Sequence, residues 1–595
     1  MKRVLLIILA LPMFFSAFAQ LEREVEVTKQ YVPKLPPARK MDMVPDMVDT
    51  VSIRPEIDYT IAPKSFDSAL TSEKFRPATV TYWEYQKHYP FYIKAGAGYP
   101  LATELDAYAS TNRADVGYLS AYINHRGSFS NIKVDNPFTG EQYCRNSQQM
   151  SNRIGFNGGK YIGKYTLDGD IFYSSDAFRR YAQPTPEDES AEVVDQINYE
   201  DVGLKINFGD SFSDMKRLNF DLYLAANYYN DKSHQLPNTT FGLLTGDESA
   251  EQLPAEGETV EAVDRKVQQL DLAMGLLFGR NIGNRSVIKA AVEYQGYYGM
   301  KFTKGYSNNL IGGYVAYHYH HTKLFDIKAK VGYMFDNVPA VADGKARHHF
   351  LPELYAGFDV KNNGTFVPYV EVDSKLTNNS YRELQRINPY IMLYDNQFAA
   401  TPNSLTYNLR AGFAGHTLNN MFAYRLYANA AFITDAIYWY NVNNIGFDFQ
   451  TARQNVYSVV ASLEYKPLSS LFIGVGFKGM FYKNFIEVEN GKPAIEGDFA
   501  IRYTHKKFAV GATAELIGAR SWSFVGQPGE GVDQYTMQSH KYPACVDLGV
   551  TFDWFVSKQC TIYLEGRNLA NAKIYEWALY RRLGVGGLAG IKVQF

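Results

Sequence analysis

From residue 90 to the end of the chain, apolar and polar residues alternate one by one, segment after segment, and no other feature constrains the fold as strongly. Leu218, Phe220, Leu222, Leu224, Ala226 and Tyr228 stand against Asn219, Asp221, Tyr223, Ala225 and Asn227. The split recurs with Ile288, Ala290, Val292 and Tyr294 against Lys289, Glu293 and Gln295, and with Phe422, Tyr424, Leu426, Ala428 and Ala430 against Arg425, Tyr427 and Asn429. It returns with Leu471, Ile473, Val475 and Phe477 against Gly474, Gly476 and Lys478. A period of two belongs to strands with two unlike faces. A soluble sandwich alternates as well, but its connections have no regular asymmetry of length. Here tight connections near 112–115, 162–164, 282–284, 362–364, 418–420, 467–470 and 557–559 alternate with long polar insertions at 127–146, 178–196, 232–263, 376–402 and 520–539. Short turns at one rim and long loops at the other describe a closed membrane barrel with a lipid-facing outside and a polar lumen. Counting from Pro90 to Phe595 predicts an all-β, antiparallel transmembrane barrel of about 22 strands, with both ends of the barrel at the short-turn rim.

Composition fits that solvent arrangement. Mean hydropathy is −0.28, below zero, yet 15% of residues are aromatic and 46 are Tyr, as interfacial aromatic girdles require. No later run reaches the roughly 18 apolar residues of a spanning helix. A net charge of −2 supplies no basic surface to neutralise phosphates, which excludes nucleic acid as a partner. The three cysteines, Cys144, Cys545 and Cys560, allow at most one internal disulfide.

The two ends agree on destination. Met1, Lys2 and Arg3 form a basic start, residues 4–18 are apolar, and Ala17, Phe18 and Ala19 read as a small-x-small cleavage site, so residues 1–19 are expected to be a signal peptide. At the other end Phe595, Val593, Ile591 and Ala589 share one face, with Gln594, Lys592 and Gly590 on the other. A final strand with a terminal aromatic resembles the signal that outer-membrane proteins present to the barrel assembly machinery. Ile591, Val593 and Phe595 are the candidate signal residues. The expected location is therefore the outer membrane of a Gram-negative cell, among its lipids and lipopolysaccharide.

The C-terminal hairpin carries a further likeness. Tyr563-Leu-Glu-Gly-Arg-Asn568-Leu569-Ala570-Asn571, then Tyr575 and a last strand ending in Phe595, is similar to the penultimate-strand pattern and closing strand of TonB-dependent receptors. Asn568, Leu569, Asn571 and Tyr575 are the matching positions. The resemblance covers 90–595 and implies ligand-gated import across the outer membrane, energised by TonB. The sequence departs from that family before the barrel: residues 20–89 are too few for the family's globular plug, and Pro33, Pro36, Pro37, Pro45, Pro55, Pro63 and Pro77 mark an extended periplasmic or lumenal segment. Within it Glu24, Val25, Glu26, Val27 and Thr28 resemble the TonB box, which pairs with TonB by strand addition; an ordinary extended segment reads the same way. A wide barrel leaks unless filled, so residues 20–89, infolded loops or a partner must occupy the lumen.

Clusters that carry chemistry are few. His318 and His320 share the predicted lumenal face of their strand, with His321 following at the turn; two imidazoles two residues apart become a metal site only with a third ligand, which the sequence does not name. His348 and His349 fall at the opposite end of a nonadjacent strand. Glu565 and Arg567 point inward on the penultimate strand, as expected of lumenal ion pairs. The acidic insertions, Glu187, Asp188, Glu189, Glu192 and Asp195, then Asp247, Glu248, Glu251, Glu256, Glu258 and Glu261, read as solvated loop charge without calcium-loop spacing. No Ser, His and acid constellation can be assembled, so no enzyme and no cofactor is expected. Two functions remain: transport across the outer membrane, or a non-conducting structural or assembly subunit of an envelope complex, filled by its N-terminal segment or by a periplasmic or surface lipoprotein partner.

Overall fold

The computed structural model describes residues 89–595, except 114–115, 183–195, 211, 213–215, 234–265, 302, 321–323, 338–345, 393–400, 418, 420, 443, 445 and 526–536, and the side chains of 112 and 113. The signal-peptide segment, residues 20–88, the Glu24 to Thr28 positions, His321 and most of the two acidic insertions lie outside the described residues.

Twenty-two antiparallel strands form one closed barrel. It runs through consecutive neighbours from Phe91–Tyr99 to Gly586–Gln594, and these two strands pair with each other, Tyr92 opposite Gln594 and Tyr99 opposite Gly587. Closure leaves no strand edge to satisfy, the condition for a sheet in lipid. At the seam Gly96 faces Gly590 on the lumenal side. Glycine is needed there because the Tyr563 ring lies across both positions, and a Cβ on Gly590 would meet that ring at 2.6 Å. The Tyr563 hydroxyl donates to Glu104 at 3.1 Å, and the ammonium groups of Lys94 and Lys592 each sit 4.9 Å from its ring centre.

The alternation reads out as expected. Leu224, Val292, Val315, Val331, Val459 and Phe477 are exposed on the lipid side, while lumenal partners such as Lys330 and Glu353 pair at 2.8 Å. The strand ends that flank all seven tight connections named above fall at the rim that also holds Phe91 and Phe595, and those that flank the five long insertions fall at the other. The first rim is periplasmic and the second extracellular. The outer connections are not uniformly long, however: strands Phe422–Val442 and Gly446–Leu468, with 21 and 23 residues, are separated by only residues 443–445. A transmembrane strand needs about 9–11 residues, so this hairpin projects well beyond the membrane. A register shift between Ile433 and Ala436, with Asp435 at φ 55°, marks where it kinks away from the wall. The three cysteines are free thiols.

Candidate functional site at the outer mouth

Loops that leave the rim all around the barrel meet in one apolar cluster. It joins Ile132 and Val134 of the hairpin Asn131–Asp135/Gln142–Asn146, Tyr181 and Ala182, Tyr229 and Val267 at the outer ends of two wall strands, and Tyr381, Leu384 and Ile391. The projecting hairpin adds Trp439, Phe447 and Phe449, the outer hairpin Arg520–Val525/Gln538–Tyr542 adds Trp522, Phe524 and Tyr542, and the last outer loop adds Tyr575, Ala578, Leu579 and Tyr580. Tyr580 stacks on Tyr390 with ring centres 3.6 Å apart and meets Tyr181 edge-on at 5.0 Å. Trp577 contacts Trp439, Phe447 and Trp522 at 5.4–5.9 Å. Such pairs add about 0.5–1.5 kcal/mol each beyond their burial. Burial pushes the Tyr390 and Tyr580 hydroxyls well above their usual pKa, so both are neutral and the cluster is uncharged. This core lies across the mouth, and among the described residues it is infolded loops that enter the lumen at its outer end.

Its centre is a short helix, α1 (Tyr381–Ile387). Seven residues cannot hold a helix in water; its hold is the barrel wall. The segment 378–392 leaves the wall after strand Val367–Thr377 and docks against the lumenal face of Gln196–Gly209, Asn219–Asp231 and Val267–Ile282. The wall from Ser286–Lys301 to Arg347–Phe358 separates these places, so the chain crosses the lumen as a chord. Arg382 donates to Asp201 of the first docking strand and, at 3.1 Å, to Asp271 of the third. Tyr381 donates to Asp231 of the second, and Gln385 reaches the same carboxylate at 3.1 Å. Arg382, Asp201, Asp231 and Asp271 are all buried. A buried guanidinium with two carboxylates is favourable only when its geometry is met, and here it fixes one position of α1. Beyond the helix, Tyr390 and Met392 exchange backbone bonds with Phe447 of the projecting hairpin, Met392 donating to Phe447 and Phe447 to Tyr390, both at 3.0 Å.

A second buried network ties down the return of the same loop. Asn403 donates to Asp336 at 2.8 Å and accepts from Asn308 at 2.9 Å, while Asn379 donates to the Pro402 carbonyl at 2.7 Å. His349 pairs with Asp336 at 3.1 Å. His348 and His349 do lie at the outer end, two strands from His318 and His320.

Of the residues singled out in the sequence, Asn568, Leu569, Asn571 and Tyr575 come together at this mouth. Asn568, buried and at φ 45°, accepts from the Ala572 amide at 2.8 Å and donates to the carbonyls of Ala572 and Leu583 at 2.9 and 3.0 Å. Leu569 bonds back to Leu548 and Asn571 to Asn568, so the motif folds the loop that delivers Tyr575 and Tyr580 to the cap. Glu565 and Arg567 form the lumenal pair expected of them, at 2.7 Å. Ile591 and Phe595 face lipid, and Phe595 stacks on Phe91. His318 and His320 lie apart from all of these, at the periplasmic end of the lumen beside Asp326. Sequence reading missed Tyr381, Arg382 and Gln385 and the three wall carboxylates they hold, Asp201, Asp231 and Asp271. Their only local signal is the spacing of Tyr381 with Leu384 and Arg382 with Gln385, one helical turn inside an insertion read as polar loop.

No protein-family model matches the chain, and no curated protein matches it. Solved structures do. A siderophore receptor, PirA, from Acinetobacter baumannii superposes with a TM-score of 0.62 at 12% identity, covering 85% of this chain and 80% of the receptor. The FrpB iron transporter from Neisseria meningitidis, F3-3 variant, gives 0.61 at 10% identity, over 86% and 82% of the two chains. A mutant of the ferric enterobactin receptor PfeA from Pseudomonas aeruginosa gives 0.61 at 9% identity, over 85% and 80%. At such identities the likeness is one of fold. The chain folds as the barrel of TonB-dependent receptors and is an integral, multi-pass protein of the outer membrane.

Proposed function

From that premise we propose that the protein is a gated importer whose outer mouth is held shut by its own loops. The observation that carries this reading is the chord of chain across the lumen, pinned by Arg382 to carboxylates on separate wall strands and roofed by a neutral aromatic core. A purely structural subunit needs a filled lumen but no single ionic latch between a loop and the wall. The names of the structural neighbours, a siderophore receptor, an iron transporter and a ferric enterobactin receptor, make iron held by a small chelator the first substrate class to test. Paired lumenal charges, such as Arg410 with Glu371 and Asp373 at 3.2 and 3.3 Å, line a polar path for such a cargo. Energy for release of the latch would enter through the Glu24 to Thr28 segment by strand addition to TonB.

The test joins two measurements. In planar bilayers the mature protein is expected to stay closed, and a variant lacking 381–387 to conduct. In cells, radio-iron uptake from a panel of ferric chelators is expected to require both the protein and Glu24 to Thr28. Full-rate uptake without those five residues would end the energised reading; open channels from the intact protein would end the gate.

A further inference from the structure

At the periplasmic end of the lumen the geometry points to a site for one divalent transition-metal ion, bridging two neighbouring strands through His318, His320 and Asp326. The inference does not rest on the import reading, since it concerns the barrel wall alone.

Strand Ser307–His320 turns Ile311, Val315 and Tyr317 to lipid, which places Tyr314, His318 and His320 in the lumen by alternation. The next strand, Phe325–Asn337, sets Asp326 directly opposite His320 and Lys328 opposite His318. The Asp326 Oδ1 atom is 2.5 Å from His318 Nε2 and 3.5 Å from His320 Nδ1. All three ligand atoms lie within 4.8 Å of one another. In a tetrahedral zinc site, bonds of about 2.0–2.2 Å place neighbouring ligand atoms roughly 3.3 Å apart. The observed separations bracket that figure, so an ion needs only side-chain movements of under about an ångström. It would take the place of the hydrogen bond between His318 Nε2 and Asp326 Oδ1. Two imidazoles and one carboxylate suit zinc, nickel, cobalt or copper rather than calcium or magnesium, and leave a position open to water.

Lys328 is the opposing group. Its ammonium stands 3.3 Å from Asp326 Oδ2 and would repel an ion. It holds the oxygen turned away from the imidazoles, however, and already lies 5.3 Å from the centre of the Tyr355 ring, where a cation is also stabilised. The carboxylate thus offers Oδ1 to the metal while Oδ2 keeps its hydrogen bond, the outer support that ligating carboxylates usually have. The site also explains what isolated imidazoles on a barrel wall do not: two histidines on one face, with the facing strand's only acid in reach at the matching register.

The experiment uses the mature protein, without a histidine tag, in detergent. Cobalt(II) is titrated while its visible absorption is followed, and zinc(II) is added to displace it. One equivalent per barrel is expected, with imidazole-type bands that zinc abolishes. His318→Ala and Asp326→Asn are each expected to lower affinity at least tenfold, while His505→Ala, at another inner turn, leaves it unchanged. Folding of each variant is checked by heat-modifiable gel mobility. No saturable binding by the folded protein, or binding unaltered in the His318→Ala/His320→Ala double variant, would overturn the site.

Discussion

Arg382 concentrates the problem of the gate in one side chain. Its guanidinium is buried between Asp201 and Asp271, and its backbone amide donates to Gln269 at 3.3 Å. Replacing it by Met keeps the volume but strands two carboxylates in a site built for a cation. Removing one partner of a buried pair costs about 3–5 kcal/mol. Since α1 is too short to persist undocked, that cost should fall on the docking of the whole segment. The expected outcome is loss of amide protection at Leu384 and Asn388 by at least about a hundredfold, read by hydrogen exchange with the wall strands unaffected. Adding Asp201→Asn and Asp271→Asn to Arg382→Met should recover part of the protection, because the stranded charges are then gone. Unchanged exchange in Arg382→Met would show that the aromatic roof alone holds the segment. None of this was legible beforehand. Arg382 is separated by more than a hundred residues from Asp201 and Asp271, as Tyr381 is from Asp231, and only the closed barrel brings those carboxylates to adjacent lumenal positions.

Among elements, the outer loop 485–494 offers a pH-dependent reading of the cap. Val488 packs against Ile433, Ala436 and Tyr438 of the projecting hairpin, and Gly491 donates its amide to Ser521 at 2.8 Å. Lys492 in this loop donates to Gln454 at 2.7 Å and lies 5.8 Å from the Tyr482 ring centre. Burial, with the charge of Lys478 adding to it, lowers the Lys492 pKa to about 8. A lysine freed from this contact titrates near 10.4, so docking the loop expels a proton across that interval. Docking is therefore weakest below pH 8 and gains with each step up through the freed lysine's own value near 10.4, above which both states are neutral. Protection of the Gly491 amide, corrected for intrinsic exchange, is expected to rise about tenfold or more between pH 7 and 10, and Lys492→Met to remove the dependence. A flat profile in the unaltered protein would mean the ammonium remains solvated. The strands themselves were readable because lipid and water impose opposite demands on successive side chains. The loops were not, since Trp439, Trp522 and Trp577 follow no period and their meeting is decided by the chain's return across the mouth. The histidine pair was legible on its strand, but its partner Asp326 depended on the register across residues 321–324, which sequence alone does not set.

At the scale of the whole barrel, the seam between its first and last strands carries a consequence for assembly. Every other neighbouring pair of barrel strands is joined by a connection, whereas Phe91–Tyr99 and Gly586–Gln594 are held by pairing alone. At its inner end Phe91 and Phe595 exchange two backbone bonds of 3.0 Å and stack their rings with centres 5.2 Å apart. Farther up, Tyr563 bridges to Glu104 above Gly96 and Gly590. Phe595 is the last rung of the seam, and we propose for it a second, separable duty as the aromatic read during assembly. Deleting it removes both, and the folded, heat-modifiable protein in the outer-membrane fraction is expected to fall severalfold or more. Phe595→Tyr keeps the ring and the rung and should restore it. Refolding of the purified chain into detergent separates the duties, because no assembly machinery is present there. If the deletion refolds as well as the intact chain in detergent but is lost from membranes, the aromatic acts as a signal; if it fails in both, the seam decides. Normal membrane levels of the truncated protein would refute both roles.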